Sequence, residues 1–237
     1  MILAGAMAIA GLGGVIRGAT GFGGAMVMTP TLSLLLGPIP AVVSALLLET
    51  FAAFSMLPTA ARTANWRTIA PIFAAACVTT PLGGYLLLTL DPQLMRRAIA
   101  ATVLIFSLLL LTGLRYRGRQ RLGTSLALGA TSGVLVGATS VGAPPVIVYL
   151  LAGSDPPAVT RANLTLFVTI ISLAALVMLL WRGMLDGPNA ITALLLSPLY
   201  FAGVWLGSRL YGRVDAAAMR RWTLLFLVAV SAVVLWL

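Results

Sequence analysis
Apolar runs follow one another along the whole chain with only short polar breaks between them. They lie at about 2–17 with 24–36, 38–61, 68–89 and 93–113, then 122–136 with 143–153, 157–181, 187–209 and 216–237. A run of about 20 residues, rising ~1.5 Å per residue, crosses a ~30 Å hydrocarbon core, so the longer runs predict transmembrane helices. The two glycine-interrupted pairs are made of shorter pieces. A fifteen-residue piece reaches about 22 Å, which predicts broken or re-entrant helices. No remaining segment has the length or composition of a separate soluble domain.

The pattern occurs twice. Gly14-Val15, Gly18-Ala19-Thr20 and Gly23 return 119 positions later as Gly133-Val134, Gly137-Ala138-Thr139 and Gly142. Pro40-Ala41-Val42 returns as Pro157-Ala158-Val159 at a shift of 117. Leu82-Gly83, Leu86, Asp91 and Met95-Arg96-Arg97 return as Leu206-Gly207, Leu210, Asp215 and Met219-Arg220-Arg221 at a shift of 124. Three blocks in one order at nearly one shift indicate a duplicated module, with repeat 1 over 1–118 and repeat 2 over 119–237. The expected fold is all-α and polytopic, each repeat being a glycine-broken pair plus three transmembrane helices.

Composition agrees with the membrane reading. Hydrophobic residues make up 60% of the chain and charged residues 8%, and the mean hydropathy of +1.07 is too high for a soluble surface. The net charge of +10 comes from fifteen arginines against five acids, with no lysine. Most of these arginines stand in the breaks, which points to topology rather than nucleic acid. There is no histidine, and the one cysteine, Cys77, lies in an apolar run. Haem, zinc, iron–sulfur and thiol chemistry thus lack their usual ligands, and no cofactor, metal or enzymatic activity is expected. Asp91, Asp155, Asp186 and Asp215 all fall in breaks, away from any intramembrane aspartyl dyad. Without a basic region or a cleavage site, Met1 to Ile16 reads as mature protein rather than signal peptide.

The arginines also discriminate between two topologies. If each glycine-broken pair crosses once, Arg62, Arg67, Arg115, Arg117, Arg119, Arg121 and Arg182 face Arg96, Arg97, Arg161, Arg209, Arg213, Arg220 and Arg221, seven against seven. If each pair enters and returns, only Arg96, Arg97 and Arg182 oppose the other eleven. The second distribution satisfies the positive-inside bias, so an inverted repeat with both termini periplasmic is expected in a bacterial inner membrane.

Inverted repeats with broken helices are a common plan of secondary transporters. The breaks are Gly18-Ala19-Thr20-Gly21-Phe22-Gly23-Gly24 and Gly137-Ala138-Thr139-Ser140-Val141-Gly142-Ala143-Pro144-Pro145. A helix restarting at Gly24 or Ala143 aims unpaired N–H groups and its positive dipole end at the break, an arrangement that favours an anion. Thr20, Thr139 and Ser140 add hydroxyls. The substrate-binding candidates are therefore Arg17, Thr20, Gly21, Gly23, Gly24, Thr139, Ser140, Gly142 and Ala143, with Asn163 nearby on the equivalent of the next run. Close helix packing is the competing account of the glycines. Arg17, whose repeat partner is Val136, either neutralises substrate or snorkels and caps carbonyls. Glu49, the one acid well inside an apolar run, either carries a coupling proton or is a hydrogen-bonded structural group. Arg161, Thr165, Thr169 and Ser172 form a stripe at helical spacing that predicts a protein-facing or wet surface.

With those features in place, the chain resembles the sulfite exporter TauE/SafE family of bacterial membrane permeases along essentially its whole length. Gly14, Gly18, Gly21, Gly23, Gly24 and Pro30-Thr31-Leu32 resemble that family's first signature, and Gly133, Gly137, Gly142, Pro145 and Leu150 its second. The second copy departs from the glycine-rich pattern, with Ser140-Val141-Gly142-Ala143 where the first has Gly21-Phe22-Gly23-Gly24. The resemblance implies transport of sulfite, an organosulfonate or a related small anion without a prosthetic group. The partners expected are that anion, the lipid bilayer, a coupling proton and, as one oligomeric option, a second copy in a homodimer. A passive anion channel and a non-transport membrane assembly subunit are the alternatives. In a reporter-fusion assay, a C-terminal tag should report from the periplasm, and a cytoplasmic tag would refute the inverted topology.

Overall fold
The computed structural model describes residues 2–20, 23–54, 57–113, 121–210 and 216–236, with the backbone alone at Thr20 and over 216–220. Among the described residues there are eleven helices and no strand: α1 (Ile2–Thr20), α2 (Gly24–Leu36), α3 (Pro38–Phe54), α4 (Leu57–Thr63), α5 (Trp66–Thr89), α6 (Pro92–Leu111), α7 (Leu122–Thr139), α8 (Ala143–Leu151), α9 (Pro157–Trp181), α10 (Gly187–Leu210) and α11 (Ala216–Trp236). Six of them, α1, α5, α6, α7, α9 and α10, are long and apolar enough to cross a membrane, and a seventh span arises if α3 and α4 count as one. The chain is thus a multi-pass helical membrane protein.

Two elements differ from the sequence expectation. The first members of the glycine pairs run on to Thr20 and Thr139, so α1 has 19 residues and α7 has 18. Both are of spanning length, whereas α2 and α8 stay short at 13 and 9 residues. Gly18 and Gly137, read as parts of the breaks, are helical, and each lies against the backbone of a neighbouring helix. The apolar run 38–61 is also divided, with the axes of α3 and α4 69° apart.

The short helices double back. Gly24 lies against Gly13 and Arg17, Met28 against Gly13, and Leu35 against Gly5. Positions rising along α2 therefore meet positions falling along α1, and the two helices are antiparallel. In the same way Gly142 lies against Ser132 and Val136, and the Tyr149 hydroxyl is 2.7 Å from Ser125 Oγ. That sets α8 antiparallel to α7.

Glycine seams join these hairpins to the rest of the molecule. A Cβ on Gly14 would strike the carbonyl of Tyr200, one on Gly18 that of Val204, one on Gly203 that of Gly11, and one on Gly207 that of Val15. These contacts advance together along both chains, so α1 and α10 run parallel at backbone contact. Gly129, Gly133 and Gly137 of α7 meet Ile72, Ala76 and Thr80 of α5 in the same register, with Gly83 returning the contact to Val134. Lipid tails are as apolar as leucine, so helices in a bilayer associate by such close packing and by the hydrogen bonds it allows. Thr79 supplies one, donating across the α5–α7 seam to the carbonyl of Ala130 at 2.8 Å.

The packing is reciprocal: α1 sits on α10, α7 on α5, α3 on α9 and α6 on α11. The first hairpin thus rests on α10 and the second on α5, and the elements between them close the centre. The outer surface is apolar, as a lipid-facing surface must be. Trp66, Trp181, Trp205, Trp222 and Trp236 are exposed and stand at or near helix ends, where indole rings suit the membrane interface. Arg209 stacks on the Trp205 ring at 3.8 Å. Asp91 and Asp186 cap helices, accepting from the amides of Gln93 and Leu94 and from that of Asn189.

Leucine at Gly18 or Gly137 has no space between backbones and should lower the thermal unfolding temperature of the purified protein, by the ~1–3 kcal/mol typical of overpacking or more. Gly123→Leu, at a helical position with nothing within 4 Å, should leave that temperature unchanged.

Candidate functional site
Gly23 is the residue from which α2 restarts. Its φ of 91° is left-handed, a conformation glycine takes without the strain a side chain would add. The helix then begins at Gly24, within contact of Arg17. Arg17 is 7% exposed and Glu49, from α3, is 4% exposed. Arg17 Nε lies 3.2 Å from Glu49 Oε2. The other carboxylate oxygen, Oε1, accepts the Ala25 amide at 3.0 Å and the Tyr200 hydroxyl at 3.2 Å. A carboxylate therefore sits on an amide in the first turn of α2, where the helix dipole favours negative charge. Gly24 must lack a side chain here, because a Cβ would land on Glu49 Oε1.

The second break uses different chemistry in the corresponding place. Thr139 closes the end of α7 on itself, donating to the carbonyl of Leu135 at 2.7 Å and accepting the Val141 amide at 3.2 Å. Ser140 turns the chain at φ 58°, the one non-glycine positive φ among the described residues. Its hydroxyl is 2.6 Å from that of Thr29 on α2, which links the two hairpins directly. Helix α8 then starts at Ala143, followed by Pro144 and Pro145. Two of its first three residues therefore carry no N–H, so this helix start offers fewer donors than that of α2.

Both breaks border one cavity. Arg17, Gly23, Ala25 and Met26 line it from the first hairpin, and Ser140, Val141, Gly142, Ala143 and Pro144 from the second. Glu49 of α3 and Ser172 of α9 complete the polar lining, with Ala45, Leu46, Ile147 and Val168 between them. About 40 Å³ is open to the centre of a water-sized sphere, which matches a few waters or one small oxyanion rather than a large organic ligand. The lining thus joins the buried Arg17 and Glu49 and the residues Ser140 and Ser172 to an otherwise largely apolar wall.

The structure brings Arg17, Gly23, Ser140, Gly142, Ala143 and Glu49 together at this cavity. Gly24 stands behind it against Glu49, and the Thr139 hydroxyl is committed to its own turn. The Thr20 side chain and Gly21 lie outside the described residues. Asn163 is placed elsewhere: its Oδ1 accepts the Asn65 amide at 2.8 Å and its Nδ2 donates to Asp155 Oδ2 at 3.3 Å, tying α9 to the connection before α5. The α9 stripe starts at a second cavity, where Arg161 and Thr165 face Thr59 and Thr63 of α4. It passes Thr169 and ends at Ser172 in the first cavity. Tyr200, which donates to Glu49, and Thr29, which bonds Ser140, are the contact residues of this site that sequence reasoning missed. Tyr200 carried one usable signal, since a tyrosine inside an apolar run needs a partner for its hydroxyl.

The family model described as "Sulfite exporter TauE/SafE" matches residues 6–234. No curated protein and no solved structure matches the chain.

Alanine at Gly24 displaces the Glu49 carboxylate, and alanine at Gly142 strikes the Ser132 carbonyl and the Val136 side chain. Both variants should insert into membranes and lose anion flux in proteoliposomes, and unaffected flux in both would remove the breaks from the site.

Proposed function
We propose that this chain, which belongs to the sulfite exporter TauE/SafE family of membrane transporters, is a secondary transporter. Its substrate is sulfite, an organosulfonate or a related small oxyanion, held in the cavity between the two helix breaks. The observation that carries this reading is the convergence of both breaks, the buried Arg17 and the Ser140 hydroxyl on one small cavity. Amides, a hydroxyl and a guanidinium, without thiol or imidazole, suit an oxyanion better than a transition-metal cation.

The fold-back of α2 on α1 and of α8 on α7 supports hairpins that enter the membrane and return. An odd number of crossings then inverts the second repeat, and the eleven arginines named above share the cytoplasmic side, leaving both termini in the periplasm of a bacterial inner membrane. Exchange of the two repeats' conformations opens the shared site to one side and then the other. We assign the coupling proton to Glu49, a reading supported by its contact with Arg17 and its place in the cavity lining.

Proteoliposomes loaded with sulfite or sulfoacetate, with and without a pH gradient, test the proposal. Wild type should drive uphill anion flux with the gradient applied, whereas Glu49→Gln should retain binding and lose the coupling. Purely downhill flux would identify a channel. Unchanged coupled flux in Glu49→Gln would remove Glu49 from the mechanism.

A further inference from the structure
A transporter that binds an anion has no obvious need for a carboxylate inside its site, yet Glu49 occupies the place where an anion is best held. Its two oxygens take the Arg17 guanidinium, the Ala25 amide and the Tyr200 hydroxyl. These are the donors that a bound oxyanion would use: a buried cation, a first-turn N–H of α2 and an oriented O–H. Gly24 leaves the carboxylate room to reach them. The ion pair also leaves the cavity without net positive charge. A second negative charge brought to Arg17 while Glu49 remains ionised would repel the carboxylate at short range in a low-dielectric setting.

We infer that Glu49 is a built-in competitor for the anion site: substrate binds Arg17 and the Ala25 amide only as the Glu49 carboxylate takes up a proton and releases them. This rests on the anion-transport reading and gives it a coupling rule, one proton with each anion bound. Among the described residues, the charged and titratable groups in contact with Glu49 are Arg17 from α1 and Tyr200 from α10, with the Ala25 amide from α2. Arg17 remains a cation throughout, so the proton has one acceptor at this place, the Glu49 carboxylate. When the anion leaves, the carboxylate gives up the proton, returns to Arg17 and closes the empty site. Slippage is limited in both directions, because an unpaired Arg17 and an unpaired carboxylate are each costly when buried. Tyr200 acts as a positioning residue, holding Oε1 toward α2 when the site is empty.

The test is equilibrium binding of methanesulfonate to the purified full-length protein in lipid nanodiscs, from acid to alkaline pH. A sulfonate keeps a single charge over that range, so any proton taken up comes onto the protein. In wild type, affinity should fall as pH rises, approaching about tenfold per pH unit where one proton is linked to one anion. Glu49→Gln should bind with no pH dependence and at least as tightly as wild type at acid pH. Tyr200→Phe should bind more tightly than wild type at alkaline pH, since the competing carboxylate is less well held. Affinity in wild type that does not change with pH would overturn the competition while leaving the transporter reading intact, and this curve needs no variant to fold. Loss of binding in a folded Glu49→Gln would also overturn it, because Glu49 would then help to hold the anion. Absence of both methanesulfonate and sulfite binding at every pH would overturn this inference together with the anion reading beneath it.

Discussion
A break in a helix inside a bilayer is tolerable only where protein surrounds it, because lipid offers no partner to the backbone groups that the break leaves open. Two breaks of this protein, after α1 and after α7, are enclosed in this way, and much of its architecture can be understood as the enclosure they require. The glycine seams between α1 and α10 and between α7 and α5 bring backbones into contact. That proximity lets short helices fold back within the molecule instead of facing lipid. The hydrophobic effect contributes little between helices in hydrocarbon, so the missing side chains of Gly14, Gly18, Gly133 and Gly137 do the work that large apolar residues do in a soluble core.

Enclosure then creates the chemistry. Once α2 lies against α1, its first turn sits beside Arg17, and a buried guanidinium needs a counter-charge or a ring of acceptors. Glu49 provides it from α3, and Tyr200 steadies the carboxylate from α10. Four elements thus meet at one ion pair, which holds the hairpin on its neighbours and also leaves a small cavity alongside. The second hairpin has no such pair. Val136 stands where Arg17 has its counterpart, and Pro144 and Pro145 remove amides from the start of α8. Its contribution is a hydroxyl, Ser140, bonded across to Thr29. The two hairpins are therefore unequal, the first carrying charge at its break and the second a hydroxyl. That inequality is consistent with a single site for one small anion.

The acids outside this centre show the same economy. Asp91 and Asp186 cap helix starts, and Asp155 ties Asn65 and Asn163 together at one end of the bundle. Among the described residues, Glu49 is the acid that lines the cavity. The polar stripe on α9 joins the second cavity at Arg161 to Ser172 at the first, a spacing of eleven residues or about 16 Å along the helix.

The membrane class, the approximate places where α1 and α7 end, and the two side chains of the central ion pair could be read from the residues in order. Those features are written in local pattern: runs of apolar residues, the glycines that interrupt them, and charged groups standing where lipid would not tolerate them alone. Partnership was not legible. Arg17 and Glu49 are 32 positions apart and Tyr200 lies 151 beyond Glu49, so nothing in the order of residues says that they share a contact. The sequence likewise could not divide the glycines by role. Gly18 and Gly137 looked like breaks and are helical seam positions, while Gly23 turns the chain and Gly24 admits a carboxylate. A glycine is required equally by a positive φ and by a near backbone, and only the folded neighbours distinguish the two. Asn163 looked like a site residue for its polarity, and the fold placed it at the end of α9 because side-chain reach is decided by which helices cross and at what depth.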